Sequence, residues 1–431
     1  MECVFQEIPI EQLCSKVTTG ATPLRSRSDF YAGGTTDWYK TGELKDWYLD
    51  PAEERITEKA LEETSVKLFP ANTVLMAMYG DGRTITSLGM LRAPAATNQA
   101  CSAMLVDEVK CDTRYFFYAL KGRRHLLLKV ASGGAQRNLS GKLIKEFKLP
   151  VPPLPVQRRI AGILSAYDEL MENSQRRIRL LEAMARALYR EWFVHFRFPG
   201  HEKHPRVASP LGDIPQGWEV KKLSTVADVN RAQINARTAP EELRYIDISS
   251  VSPGQIDSIT TYAFADAPGR ARRIVQHGDV LWSCVRPNRR SHAQVMHPEA
   301  DTIASTGFAV LTATKAPFTF LYFATTTDDF VAFLTNNATG AAYPAVSGAT
   351  FEKADLLIPP APLLKKFGNA TIPMAEQIHT LQRQIQNLRR TRDLLLPRLL
   401  SGQMELVSAS ANGATSNQPG ATPQVTHRKT K

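Results

Sequence analysis

Cysteine is scarce in this chain. There are five in 431 residues (Cys3, Cys14, Cys101, Cys111 and Cys284), an odd number with no C-x-x-C pair. That excludes a paired-cysteine zinc module and argues against a disulfide framework, so a reducing, cytoplasmic compartment is expected. Long apolar runs are missing too: no stretch of about 18 apolar residues occurs, which predicts no spanning helix and no membrane role. The opening MECVFQEIPIEQLCSKV has no basic segment followed by an apolar one, which predicts no signal peptide. What the chain does have is length and apolar content (43% hydrophobic), enough for two or three domains with cores of their own.

Catalytic signatures are also lacking. RNLSGKL (137–143) is the nearest approach to a P-loop, but it lacks the first glycine and the hydroxyl after Lys142. No G-x-S-x-G, H-E-x-x-H or paired C-x-x-C is present. IPPAP (358–362) does not supply the Asn-Pro-Pro-aromatic signature with which amino-methyltransferases hold an exocyclic amine. DEVK (107–110) could offer Glu108 and Lys110 to a nuclease metal site, but no proline–aspartate partner precedes it; a charged surface strand accounts for it better. His195, His201 and His204 stand near a Pro/Gly-containing stretch with no cysteine or carboxylate at ligand spacing, and read as solvated hinge residues. No catalytic residue and no metal ligand is expected.

Charge points elsewhere. Lysine and arginine number 53 against 42 acidic residues, a net charge of +11 with histidine neutral. A strongly basic soluble chain commonly meets a polyanion, nucleic acid first among them. The tail after Ser408 adds Arg428, Lys429 and Lys431 without any acid, and its Ser/Ala/Asn/Gly/Pro composition predicts disorder.

The most informative feature is an internal repeat. ASGGAQRNLSG (131–141) matches ATGAAYPAVSG (338–348) at an offset of 207, and KLPVPPLPVQRRI (148–160) matches DLLIPPAPLLKKF (355–367) at the same offset. Further upstream, FPANTVLMA (69–77) lies against VQHGDVLWS (275–283), the offset slipping by one. After each Pro-rich segment the spacing turns helical. Ile160, Leu164, Tyr167, Met171, Ser174, Ile178, Leu181, Ala185, Leu188 and Trp192 stand alternately four and three apart, the seam of a coiled coil. Adding 207 gives Phe367, Thr371, Met374, Ile378, Leu381, Ile385, Leu388, Arg392, Leu395 and Leu399. Each helix should run for about 40 residues, on the order of 60 Å. Pro155 suits a first turn; Pro373 should delay or kink the second helix.

VLMAMY (74–79), SAMLV (102–106), DVLW (279–282) and FAVLT (308–312) read as strands, and residues 113–131 and 318–338 as helical. The expected fold is therefore two tandem α/β (α+β) domains with two long coiled-coil helices. The boundaries are 1–152 and 218–358 for the domains, 153–198 and 359–402 for the helices, 199–217 for a hinge and 403–431 for a disordered tail.

Three stretches carry a family resemblance. Residues 149–193 (LPVPPLPVQRRIAGILSAYDELMENSQRRIRLLEAMARALYREWF), 212–229 (GDIPQGWEVKKLSTVADV) and 391–406 (TRDLLLPRLLSGQMEL) resemble the specificity subunit of type I restriction–modification systems. TGATP (19–23) and HGDVLW (277–282) fit looser patterns inside its recognition domains. Val156, where the family often has an acidic residue, and Pro373 depart from the pattern. The resemblance implies a non-catalytic subunit whose two target recognition domains each read one half of a bipartite, asymmetric site in duplex DNA. It also implies that the helices pack antiparallel as a spacer. The implied partners are two copies of a modification methyltransferase subunit and a motor/nuclease restriction subunit. No cofactor is implied on this chain; S-adenosylmethionine, ATP and Mg belong to the partners.

Candidate DNA contacts are polar and basic loop residues. In the first half they are Arg83 in YGDGRT, with Gln136, Arg137 and Asn138 in GGAQRN. In the second they are Arg286, Asn288, Arg289 and Arg290 in RPNRR, with Tyr343 in GAAYPA. Arginine can bridge guanine O6 and N7, and Asn or Gln can bridge adenine N6 and N7. Gly133, Gly134 and Gly340 are expected to serve backbone turns, and Arg176, Arg177, Arg389 and Arg390 to be solvated or to meet partners. Two rivals remain. One is a single-chain DNA methyltransferase or nuclease with diverged motifs, which added S-adenosylmethionine or magnesium would expose. The other, a structural adaptor, leaves the repeat and the basic loops unexplained.

Overall fold

The computed structural model describes residues 5–80, 84–131, 137–209 and 212–404. Arg83, Gln136, Gly133, Gly134 and the tail from 405 onward lie outside the described residues. The chain divides into two compact units, Met1–Asn173 with Ile385–Lys431, and Ser174–Gln384. No helix among the described residues is long and apolar enough to cross a membrane.

The first unit is built on a five-stranded sheet. Its order is Cys14–Thr19, Cys101–Val106, Val74–Ala77, Leu88–Met90 and Trp47–Tyr48. Val74–Ala77 is buried at all four positions, so it lacks polar alternation and sits centrally. Thr36–Tyr39 runs parallel to Ala96–Thr97 and antiparallel to Arg55–Ile56 in a smaller sheet. Helices Thr113–Gly122 and Arg124–Val130 follow, the first capped by Asp112, whose carboxylate accepts from the Tyr115 amide at 2.9 Å. Gln6–Pro9 pairs antiparallel with Lys148–Val151, and a long helix, Leu154–Tyr189, starts directly afterwards.

The second unit repeats this succession. Ala227–Val229, Phe308–Ala313, Val280–Ser283 and His292–Gln294 form a sheet with the same antiparallel order as the first four strands above. Glu242–Ile246 runs parallel to Thr302–Ser305 and antiparallel to Thr260–Ala263. Helices Phe318–Thr325 and Asp328–Asn336 follow, the second capped by Thr327. Glu219–Lys222 pairs antiparallel with Asp355–Ile358, and the second long helix is Ala361–Leu400. Lys148 and Asp355, and the helix starts Leu154 and Ala361, are again 207 residues apart.

None of the twenty seam residues of the long helices is exposed. In the first unit, Ile160 and Leu164 share a core with Leu396 and Leu399, and in the second, Ala185 and Tyr189 share one with Phe367 and Met374. In the first unit Asp168 also pairs with Arg392, further along the first long helix and earlier on the second. Pro155 lies in the first helical turn, as its missing N–H permits. Pro373 corrects the expectation of a late start: the second helix already begins at Ala361, where the Pro360 carbonyl accepts from the Leu363 and Leu364 amides. A Pro ring forfeits one backbone bond, which the surrounding packing of Phe367, Thr371 and Ala375 outweighs.

DEVK is also a correction. It is a turn after Cys101–Val106, not a strand, closed by a 3.0 Å Lys110–Asp107 ion pair; Glu108 accepts from Thr113. RNLSGKL ends in a helix cap, Ser140 accepting from the Leu143 amide at 3.3 Å. Gln157 is buried, accepting from the Asp112 amide and donating to the Pro152 carbonyl, both at 2.8 Å. Its task is to hold the helix start. His201 and His204 each lie 2.9 Å from a backbone carbonyl, of Phe198 and Gln216, and His195 and His204 are exposed.

Candidate nucleic-acid interface

In the first unit the two candidate loops meet. Arg137–Asn138 forms a short antiparallel ladder with Tyr79–Gly80, Asn138 opposite Tyr79. The Leu139 amide continues it onto the Met78 carbonyl at 2.8 Å. Position 80, at a φ of +149°, calls for glycine, because a Cβ would stand 2.7 Å from that of Thr84. Asn138 is exposed, and Tyr79 is exposed with its hydroxyl donating to the Gln99 carbonyl at 3.0 Å. TGATP joins the same place: Thr22 donates to the Gln99 side chain at 2.5 Å, and the Ala21 amide bonds the Thr97 carbonyl at 3.0 Å. Sequence reasoning missed Tyr79 and Gln99; the exposed aromatic at the end of an apolar run was the available signal.

The second unit assembles its loops in the same manner. Val285 bridges antiparallel to Ala345, and the Arg286 amide donates to the Pro344 carbonyl at 2.7 Å. Pro287–Arg289 is a single 3-10 turn bounded by Arg286 and Arg290, both left-handed at φ of 51° and 54°. Two non-glycine residues in that region impose strain that the loop's outside bonds must hold. The Arg286 guanidinium lies 4.7 Å from the Tyr343 ring centre and donates to the Ala342 carbonyl at 3.3 Å. Arg290 is ion-paired with Asp328. Gly340, at a φ of +100°, supplies the turn expected of it.

The candidates therefore divide. Arg286 and Arg290 are engaged in shaping the loop. Asn288 and Arg289 are exposed and make no side-chain hydrogen bond or ion pair among the described residues. Tyr343 is 68% exposed, its ring backed by Arg286. Asn288, Arg289 and Tyr343 thus present two hydrogen-bonding side chains and one stacking face. Arg176, Arg177, Arg389 and Arg390 are exposed on the long helices.

Residues 4–183 match the family model described as the type I restriction modification DNA specificity domain. The type I restriction enzyme MjaIX specificity subunit of Methanocaldococcus jannaschii is 25% identical over 407 residues, 91% of each chain. The matches thus place a type I restriction–modification specificity domain over residues 4–183 and a likeness to specificity subunits along most of the chain. The EcoR124I/EcoR124II specificity subunit of Escherichia coli is 28% identical over 155 residues, covering 35% of this chain and 38% of that one. In fold, the chain is similar to the type I restriction–modification S subunit from M. genitalium, with a TM-score of 0.60 at 15% identity over 92% of this chain and 96% of the other. Mixed α/β sheets with long helices are thus the architecture of this chain.

The strand leaving the Arg286–Arg290 loop carries a buried titratable group. His292 is 5% exposed, stacked 4.8 Å from Trp282, and burial together with Arg186 and Arg290 pushes its imidazole down to about 4. A base depressed in the folded state stabilises the fold above its unfolded value near 6.5, and that contribution is lost as pH falls through 4. Unfolding free energies of the wild type, from urea titrations, are expected to decline across that window by up to about 1.4 kcal/mol per pH unit from this group. In His292→Phe the decline should be visibly shallower; equal slopes would exclude His292 as the source.

Proposed function

We propose that this chain is a type I restriction–modification specificity subunit that reads a bipartite, asymmetric duplex site, residues 1–152 contacting one half and 218–358 the other. The observation that carries the reading is the recurrence of one loop pairing: Asn138 opposite Tyr79, and, 207 and 206 residues on, Ala345 opposite Val285. The same ladder presents different side chains in the two units, as two readers of unlike half-sites require. Arg289 and Asn288 offer the donors that bridge guanine and adenine edges in the major groove, and Tyr343 offers an apolar face. The engaged arginines position the loop, and Arg177, Arg389 and Arg390, exposed on the long helices, suit phosphates or partner subunits.

The subunit carries no catalysis of its own; it supplies recognition. Two copies of a modification methyltransferase using S-adenosylmethionine, and an ATP- and Mg-dependent restriction subunit, assemble on it. The long helices act as an antiparallel coiled-coil ruler between the readers, since two readers on one face of a duplex must stand about one helical turn apart, roughly 34 Å or a multiple of it. The antiparallel meeting of seam residues inside each unit supports this. Inserting one heptad in each helix keeps the seam facing its partner and adds about 10 Å. The spacer of the target is then expected to lengthen by about three base pairs at roughly 3.4 Å each. An unchanged spacer in the methylated motif would refute the ruler.

The deciding experiment is a genome-wide map of methyladenine with the gene present and deleted. A two-part, gapped motif that loses methylation on deletion is the expected result; intact methylation everywhere would overturn the reading. The purified chain given S-adenosylmethionine or magnesium with DNA should produce neither methylated nor cut product.

A further inference from the structure

Three distant segments of the second unit bring histidine and carboxylate ligands together. His277 precedes Gly278 in the turn before Val280–Ser283. His297 lies in a second turn at a φ of 47°, its ring centre 4.4 Å from that of His277. Glu376 projects from the second long helix, one oxygen 2.7 Å from His297 Nε2 and the other 3.6 Å from His277 Nε2. His379 stands one turn further along the same helix, its ring centre 5.4 Å from that of His297.

We propose that His277, His297 and Glu376, with His379 as a fourth ligand, form a binding site for a divalent zinc-class metal ion. The ligand atoms of the first three lie within 4.8 Å of one another. Zinc takes imidazole nitrogen and carboxylate oxygen at about 2.0–2.2 Å, so neighbouring donors on one tetrahedral ion stand about 3.4 Å apart. The present separations of 2.7 and 3.6 Å bracket that value. The side chains of His277, His297 and Glu376 are 39%, 53% and 38% exposed, which leaves an ion free to enter. Ligation through Nε2 places the His277 hydrogen on Nδ1, so the 3.3 Å bond that Nδ1 accepts from the His297 amide is given up.

The donor set selects the metal class. Imidazoles with one carboxylate suit zinc and its neighbours, whereas magnesium and calcium ask for oxygen. Glu376 and His379, three apart, lie on one face of the helix. The ion would clasp two turns of the α/β portion of this unit to the second long helix. The proposal stands independently of the DNA-reading function.

The test uses the full-length chain carrying a tag free of histidine, stripped with chelator and titrated with zinc chloride against a chromophoric chelator. One equivalent should bind, with a Tm raised by several degrees and restored by renewed chelation. His297→Asn tolerates the left-handed backbone while removing the imidazole, and Glu376→Gln removes the charged ligand. Each should weaken zinc by about tenfold or more and abolish the Tm rise, while His204→Ala leaves both unchanged. Failure to bind one equivalent, or binding that survives both substitutions, would overturn the site.

Discussion

Replacing Arg392 by methionine is expected to destabilise the chain by about 3–5 kcal/mol, most of the margin of an ordinary domain. Arg392 and Asp168 form an ion pair with side chains only 9% and 4% exposed, one from each long helix and both within the first unit. Without the guanidinium, the Asp168 carboxylate stays buried with one remaining donor, the Tyr118 hydroxyl at 2.6 Å. That phenol brings no positive charge; burial and the neighbouring carboxylate keep it protonated, so it offers one neutral hydrogen bond. Desolvating an uncompensated charge is the dominant cost, so the double variant Asp168→Leu with Arg392→Met should lose much less than Arg392→Met alone. Urea unfolding of both variants measures this. A double variant as unstable as the sum of the singles would show that shape, not charge, governs the site.

Exchange of residues 213–358 for the corresponding segment of another family member is expected to rewrite one half of the target and leave the other untouched. The segment is suited to exchange because Glu219–Lys222 and Asp355–Ile358, near its two ends, pair antiparallel and travel together. The Arg286–Arg290 and Tyr343 loops travel with it together, with their mutual contacts intact. Each wrong base pair costs about 1–3 kcal/mol, roughly additively, so two of them lower affinity by about thirtyfold or more. Methylation of the original motif should therefore vanish and a hybrid motif appear. A change in both halves, or in neither, would refute two independent readers.

Much of this architecture was legible beforehand because it is written in neighbours. Prolines and glycines punctuate the chain at fixed distances, the seam spacing survives an offset of 207, and Val74–Ala77 and Val280–Ser283 are apolar runs short enough only for strands. Arg392 already broke the seam as a charge among leucines, but nothing near it in the chain named Asp168. DEVK misled because alternating charge suits a strand as well as a turn, and only the Lys110–Asp107 pair distinguishes them.

The sequence by itself determined the periodic elements, the repeat and the basic loops offered as DNA contacts. Only the tertiary structure decided which arginines are engaged and which are free, which buried charge answers Arg392, and that His277, His297 and Glu376 meet at all. The physical reason is range. Backbone periodicity depends on residues three or four apart, whereas a hydrogen bond or ion pair between segments depends on a topology that closes loops of many tens of residues, and no local pattern records where those closures bring side chains together.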